Sequence, residues 1–177
     1  MEFRHATPLT ATLQLVPVAP YGLAASSLAV FLLPRIPTAY IFLTSMLAFF
    51  FGQVLLALTP PEQSYWLMSF PTILVIILGP EFSFSCGSII ASDSLSEEMQ
   101  GVGGSFVNTV VNYSISIGLA LAGNVERGVI AGGRSEEQKL KGFRAAYWFG
   151  AACAAFGALM TLVFWKRLAR RHAAAET

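Results

Sequence analysis

Polar and hydrophobic positions in this chain are segregated into blocks. Residues 6–34, 36–61, 101–125 and 145–165 carry no charged side chain, and a fifth apolar block, 65–91, carries one, Glu81. A helix rises 1.5 Å per residue, so about 20 mostly apolar residues cross a hydrocarbon core about 30 Å thick. Lipid offers backbone amides and carbonyls no partner, so a spanning block pairs them internally and is helical. The pattern predicts an all-α integral membrane protein with five spans, at about 11–33, 38–58, 65–91, 102–122 and 145–165. The first block exceeds the roughly 7–15 apolar residues of a secretory signal and runs at once into a second span, so it reads as a membrane helix.

Each span carries its own punctuation. Pro17 and Pro20 fall in the first, where the missing donors predict a bend or opening satisfied by neighbouring helices. Pro34 and Pro37 flank Arg35 in a short turn. The second span holds Phe49, Phe50 and Phe51 beside Gly52 and Gln53, and Pro60 and Pro61 end it. Tyr65 and Trp66 open the third at headgroup level, and Pro71, Gly79 and Pro80 lie within it. The link 92–100 is acidic. In the fourth span Gly101, Gly103 and Gly104 at one end and Gly118 and Gly123 at the other are expected to let helix backbones approach, as are Gly150 and Gly157 in the fifth. Residues 123–144, with charges of both signs, read as a solvated loop, and 166–177 as a basic tail.

Composition sharpens this picture by exclusion. The chain is 55% hydrophobic and only 12% charged, against roughly 25% charged residues in a soluble domain. A net charge of +1 offers no basic face for a nucleic-acid backbone. Cys86 and Cys153 both fall inside spans and read as packing residues. The two histidines, His5 and His172, lie outside every span, so they neither activate Ser105 in its Gly103-Gly104-Ser105 setting nor form a metal cluster. No phosphate-binding loop is present. Enzyme chemistry, a metal and a cofactor are therefore not expected, and any driving force for transport would be an ion gradient.

Two features carry candidate chemistry. A carboxylate inside a span costs roughly 2.5–3.5 kcal/mol on insertion scales, so Glu81 is expected to face the bundle interior and to pair, bind a proton or touch substrate. Its bland alternative is a neutral acid with a structural hydrogen bond. In the fourth span Ser105, Asn108, Asn112 and Ser116 recur every three or four residues and share one helix face. Such a stripe either lines a path, with Asn112 the leading candidate, or serves as interhelical glue contributing about 0.6–2 kcal/mol per bond. Gln53 and Gln14 read as interhelical hydrogen-bonding residues, with Gln53 a weaker path candidate. The Asn112-Tyr113-Ser114 sequon lies within a span and is not a glycosylation site.

The stretch 79–125 resembles the C-terminal half of fungal major facilitator superfamily proteins of the drug/proton antiporter group with about fourteen helices. The similarity rests on Gly79-Pro80-Glu81 with Ser83 and Phe84, on Gln100-Gly101 with Ser105, and on the run from Val111 to Leu119. Pro17, Pro20, Gly22 and Ala24 resemble a proline-containing helix of the same half, and Arg35 the short basic loop after it. The resemblance implies five helices of a partial C-terminal bundle, a C-terminus in the cytoplasm, and a multi-pass plasma-membrane location. Basic residues on the two sides are too evenly divided to orient the chain alone. It further implies a proton-coupled small-molecule or multidrug exporter in which Glu81 responds to protons, with the lipid bilayer, a small-molecule substrate, protons and an N-terminal transporter half as partners. Such transporters are built from two six-helix halves that rock about a shared interface. The chain alone lacks that other half, and the competing expectation is a truncated, transport-inactive membrane protein with a structural or accessory role.

Overall fold

A computed structural model describes residues 8–60, 63–130, 132 and 135–165; the expected tail at 166–177 lies outside them. Helix α1 (Pro8–Leu15) and helix α2 (Val18–Leu32) are the two parts of the first span, separated at Pro17. With no N–H on Pro17 the helical ladder is interrupted: the Leu13 carbonyl accepts from the Val16 N–H at 3.3 Å, and the neighbouring Gln14 carbonyl accepts a hydrogen bond of 2.9 Å from the Tyr65 hydroxyl. Helix α3 (Thr38–Leu58) stops because Thr59 precedes Pro60 and adopts an extended conformation, φ −63° and ψ 121°. A single π-helical turn (Tyr65–Ser69) leads into α4 (Phe70–Ser92), which continues through Pro80. A short 3-10 turn (Glu97–Met99) precedes α5 (Gln100–Ile130), and α6 (Glu136–Val163) completes the described bundle.

Five stretches of helix are long and apolar enough to cross a membrane: Thr12–Leu32, Thr38–Leu58, Tyr65–Ser92, Glu97–Ile130 and Glu136–Val163. One sequence expectation is corrected. Most of 123–144, read as a solvated loop, is helical: α5 runs on to Ile130, and α6 starts at Glu136. Ser135 caps α6 by accepting from the Gln138 backbone N–H, while the Gln138 side chain reaches back to the Ser135 N–H. Between the helices Gly132 takes φ 81°, a left-handed turn open to glycine. At this hairpin a methyl group on Gly142 would lie 2.7 Å from Ile130 Cγ1 and 3.1 Å from the Glu126 carbonyl oxygen. Gly142 therefore permits the close crossing of α5 and α6.

Helix α3 is central. It runs antiparallel to α4, with the Phe49 ring against Gly79 and Ile76 against Gly52, and antiparallel to α6, with Gln53 against Gly150 and Met46 against Gly157. The Tyr40 and Trp165 rings meet edge to face at 4.5 Å along the same α3–α6 seam. Helix α5 closes the arrangement between α4 and α6, and α2 lies on α4. Ala29, Ile41, Phe82 and Cys86 form the buried cluster where α2, α3 and α4 converge. Large apolar side chains elsewhere point outward, among them Leu23, Phe106 and Leu119, as expected where the surrounding medium is lipid.

Candidate functional site

Helix α5 approaches the end of α4 closely near its start, where a methyl on Gly103 would lie 3.6 Å from the Ala91 backbone and 2.9 Å from Leu95 of the link that follows α4. Further along, the two helices separate. The space between them holds two adjoining cavities of about 340 Å³ and 470 Å³ that share Ser83, Phe84 and Val111 as walls. Phe42 and Met46 of α3 and Val107, Val110 and Ser114 of α5 line the larger one. Phe49, Pro80, Glu81 and Ile115 line the smaller. Both are mostly apolar, as a pocket for a small organic molecule is, with a few hydroxyls and one carboxyl as polar handles.

Glu81 lies on the wall of the smaller cavity, half-buried. Its Oε2 accepts a hydrogen bond from the Ser26 hydroxyl of α2, and its Oε1 lies over Gly22, 4.0 Å from where a methyl on that residue would sit. The acid thus touches α2 on one side and the α4–α5 space on the other. Ser26 was not among the residues that the sequence singled out. It belongs to a Ser26-Ser27 pair, and nothing in the linear pattern separates the member that meets Glu81 from Ser27, which bonds the Leu23 carbonyl of its own helix.

The four residues of the α5 stripe are brought together, and all four are exposed. They face away from the side of α5 that carries Gly103, Val107, Val111 and Ser114. Their hydrogen bonds stay within the helix: Ser105 Oγ donates to Val102 O, Asn112 Nδ2 to Asn108 O and Oδ1, and Ser116 Oγ to Asn112 O, at 2.9–3.0 Å. Gln53 stands elsewhere, at the α3–α6 seam against Gly150 and away from both cavities. Of the glycines expected at helix contacts, Gly150 and Gly157 meet Gln53 and Met46, whereas a methyl on Gly101, Gly104 or Gly118 would meet nothing within 4 Å among the described residues. Gly103, also expected, does mark a close approach, to Leu95 and the Ala91 backbone, and a methyl on Gly123 would meet nothing within 4 Å among the described residues; the close approaches that the sequence reading missed are at Gly52, Gly79 and Gly142. Among the described residues no cluster of three or more metal-ligating side chains occurs.

Comparison with known proteins found relatives among fungal transporters. The chain is 40% identical over 163 residues to the low affinity ammonium transporter of Saccharomyces cerevisiae, covering 92% of this chain and 31% of that one. It is 36% identical over 163 residues to the efflux pump terJ of Aspergillus terreus, with the same coverage. It is 37% identical over 134 residues to the major facilitator superfamily multidrug transporter mdr3 of Aspergillus fumigatus, covering 76% of this chain and 25% of that one. The chain thus spans about a third or less of the length of these relatives. No family model matches it, and no solved structure matches it.

Proposed function

We propose, for a chain related along most of its length to about a quarter to a third of each of these fungal transporters, one of them a major facilitator superfamily multidrug transporter, that these helices form the C-terminal part of a proton-coupled exporter of small molecules. Glu81 is its proton-responsive group. The observation that carries the reading is the position of this acid, the one charged side chain of its span, between α2 and a largely apolar cavity system. Binding a proton neutralises a group that is costly to hold ionised in lipid, so proton occupancy can bias one helix arrangement over another. Ser105, Asn108, Asn112 and Ser116 form the path-facing side of α5. A polar stripe with no hydrogen-bond partner on the other helices among the described residues is favourable in a membrane only where it meets water, substrate or further protein. An N-terminal transporter half, rocking against this one, supplies that environment. The relatives, efflux pumps and an ammonium transporter among them, support a small-molecule substrate. In this reading the chain sits in the plasma membrane with its C-terminus in the cytoplasm.

The test is co-expression with an N-terminal half of a related transporter, followed by efflux of a fluorescent drug under an imposed proton gradient. The expected result is gradient-dependent efflux that Glu81→Gln abolishes while membrane insertion is unchanged. Efflux that survives Glu81→Gln at the wild-type rate overturns the role of Glu81. Insertion without efflux from any pairing supports the accessory, transport-inactive role instead.

A further inference from the structure

Ser26 stands between two acceptors. Its hydroxyl oxygen lies within hydrogen-bonding distance of Glu81 Oε2 on α4 and 3.1 Å from the Gly22 carbonyl oxygen on its own helix. A serine hydroxyl has one proton to donate and two lone pairs to accept with. When Glu81 is ionised, its carboxylate can only accept, so the Ser26 proton turns toward Oε2 and the hydroxyl gives nothing to Gly22. When Glu81 holds a proton, the carboxyl can donate to Ser26 Oγ, and the Ser26 proton is free to go to the Gly22 carbonyl. All three oxygens are then linked in one direction, from Glu81 through Ser26 to the backbone of α2.

We propose that Ser26 is a positioning residue that reports the proton state of Glu81 to helix α2 by switching its single hydroxyl proton between the Glu81 carboxylate and the Gly22 carbonyl. The change begins with one proton from water on the carboxylate; Ser26 itself gains and loses none. The readout is mechanical as well as electrostatic. A serine bonding the carbonyl four residues back tends to bend its helix, and Gly22 lies two residues beyond Pro20 and five beyond the break at Pro17, two prolines whose missing N–H groups thin the helical ladder there. The surroundings keep the exchange private to these groups. Besides Gly22 and Ser26 of α2, α3 presents Phe49 and α5 presents Val111 and Ile115 around the same carboxyl. None of them carries a charge or titrates. The inference rests on the proposed proton-responsive role of Glu81 and adds the element that receives the signal.

Infrared difference spectroscopy of the full chain in phospholipid vesicles, recorded across a pH titration, tests it. The carboxylic acid C=O band that Glu81→Gln deletes belongs to Glu81. Ser26→Ala removes the hydroxyl to which this acid donates, and its band is expected to move to higher wavenumber; Ser26→Thr, which keeps a hydroxyl, is expected to restore the wild-type position. If Ser26→Ala does not insert, Ser26→Cys, with a weaker donor and acceptor, is expected to displace the band in the same direction. A Glu81 band at the same wavenumber in wild type and in these variants overturns the switch and leaves the proton-responsive role of Glu81 intact. Absence of any Glu81 band at every pH overturns both.

Discussion

At the scale of single residues, the bundle is organised by where a side chain is missing. Gly79 illustrates it: a methyl there would lie 2.8 Å from each of three atoms of the Phe49 ring, so the ring lies flat against the α4 backbone. Gly79→Ala is expected to lower stability by about 1–3 kcal/mol through overpacking, read as an earlier unfolding transition in detergent micelles. Phe49→Leu in the same background is expected to recover part of that loss, and equal stability of Gly79→Ala and wild type counts against this packing. Gly118→Ala, with nothing within 4 Å, is expected to be neutral or to stabilise by up to about 1 kcal/mol through helix propensity. Both glycines look alike in the sequence. Glycine content marks a helix able to approach another, but the face on which each glycine lies depends on the neighbour, which is remote in the chain. For the same reason Glu81 was legible as an unusual acid, and Ser26, 55 residues away, was not.

At the scale of elements, hydrophobic blocks and prolines located the helices well. The break at Pro17 and the end of α3 before Pro60 follow from the missing donor and from the restriction that proline places on its predecessor. The hairpin between α5 and α6 is the instructive failure. Its charges, including the Glu137–Lys141 pair at 2.7 Å, resemble those of a solvated loop, yet charges four residues apart on a helix also stabilise it. The Ser135-to-Gln138 capping box was present in the sequence as a start signal for α6, whereas the crossing at Gly142 was not. Amide hydrogen exchange distinguishes the two readings: residues 123–130 are expected to be protected to a degree similar to the middle of α5, and exchange at unstructured rates across this segment would restore the loop.

At the scale of the whole molecule, α5 is the least enclosed of the long helices, with Gly103 its only buried residue among those described. Among the described residues its outer stripe bonds only within α5, so Asn112→Leu in this chain alone is expected to leave the unfolding transition within about 0.5 kcal/mol of wild type, below the roughly 0.6 kcal/mol of an average interhelical bond. The same change in a chain paired with an N-terminal half is expected to impair efflux; a clear loss of stability in the unpaired chain would instead make Asn112 a contact within this bundle. By itself the sequence determined that the chain is helical, that five stretches can cross a membrane, and that one acid and one polar stripe are out of place in lipid. These follow from local composition, because the demand that every backbone group be paired acts on each segment separately. Only the tertiary structure decided that α3 is central, that Glu81 of α4 meets Ser26 of α2, that the stripe turns outward, and that two adjoining cavities lie between α4 and α5. Those depend on which helix faces which, and in a hydrocarbon medium that choice rests on close-packed shape and a few hydrogen bonds between residues far apart in the chain, which no local pattern encodes.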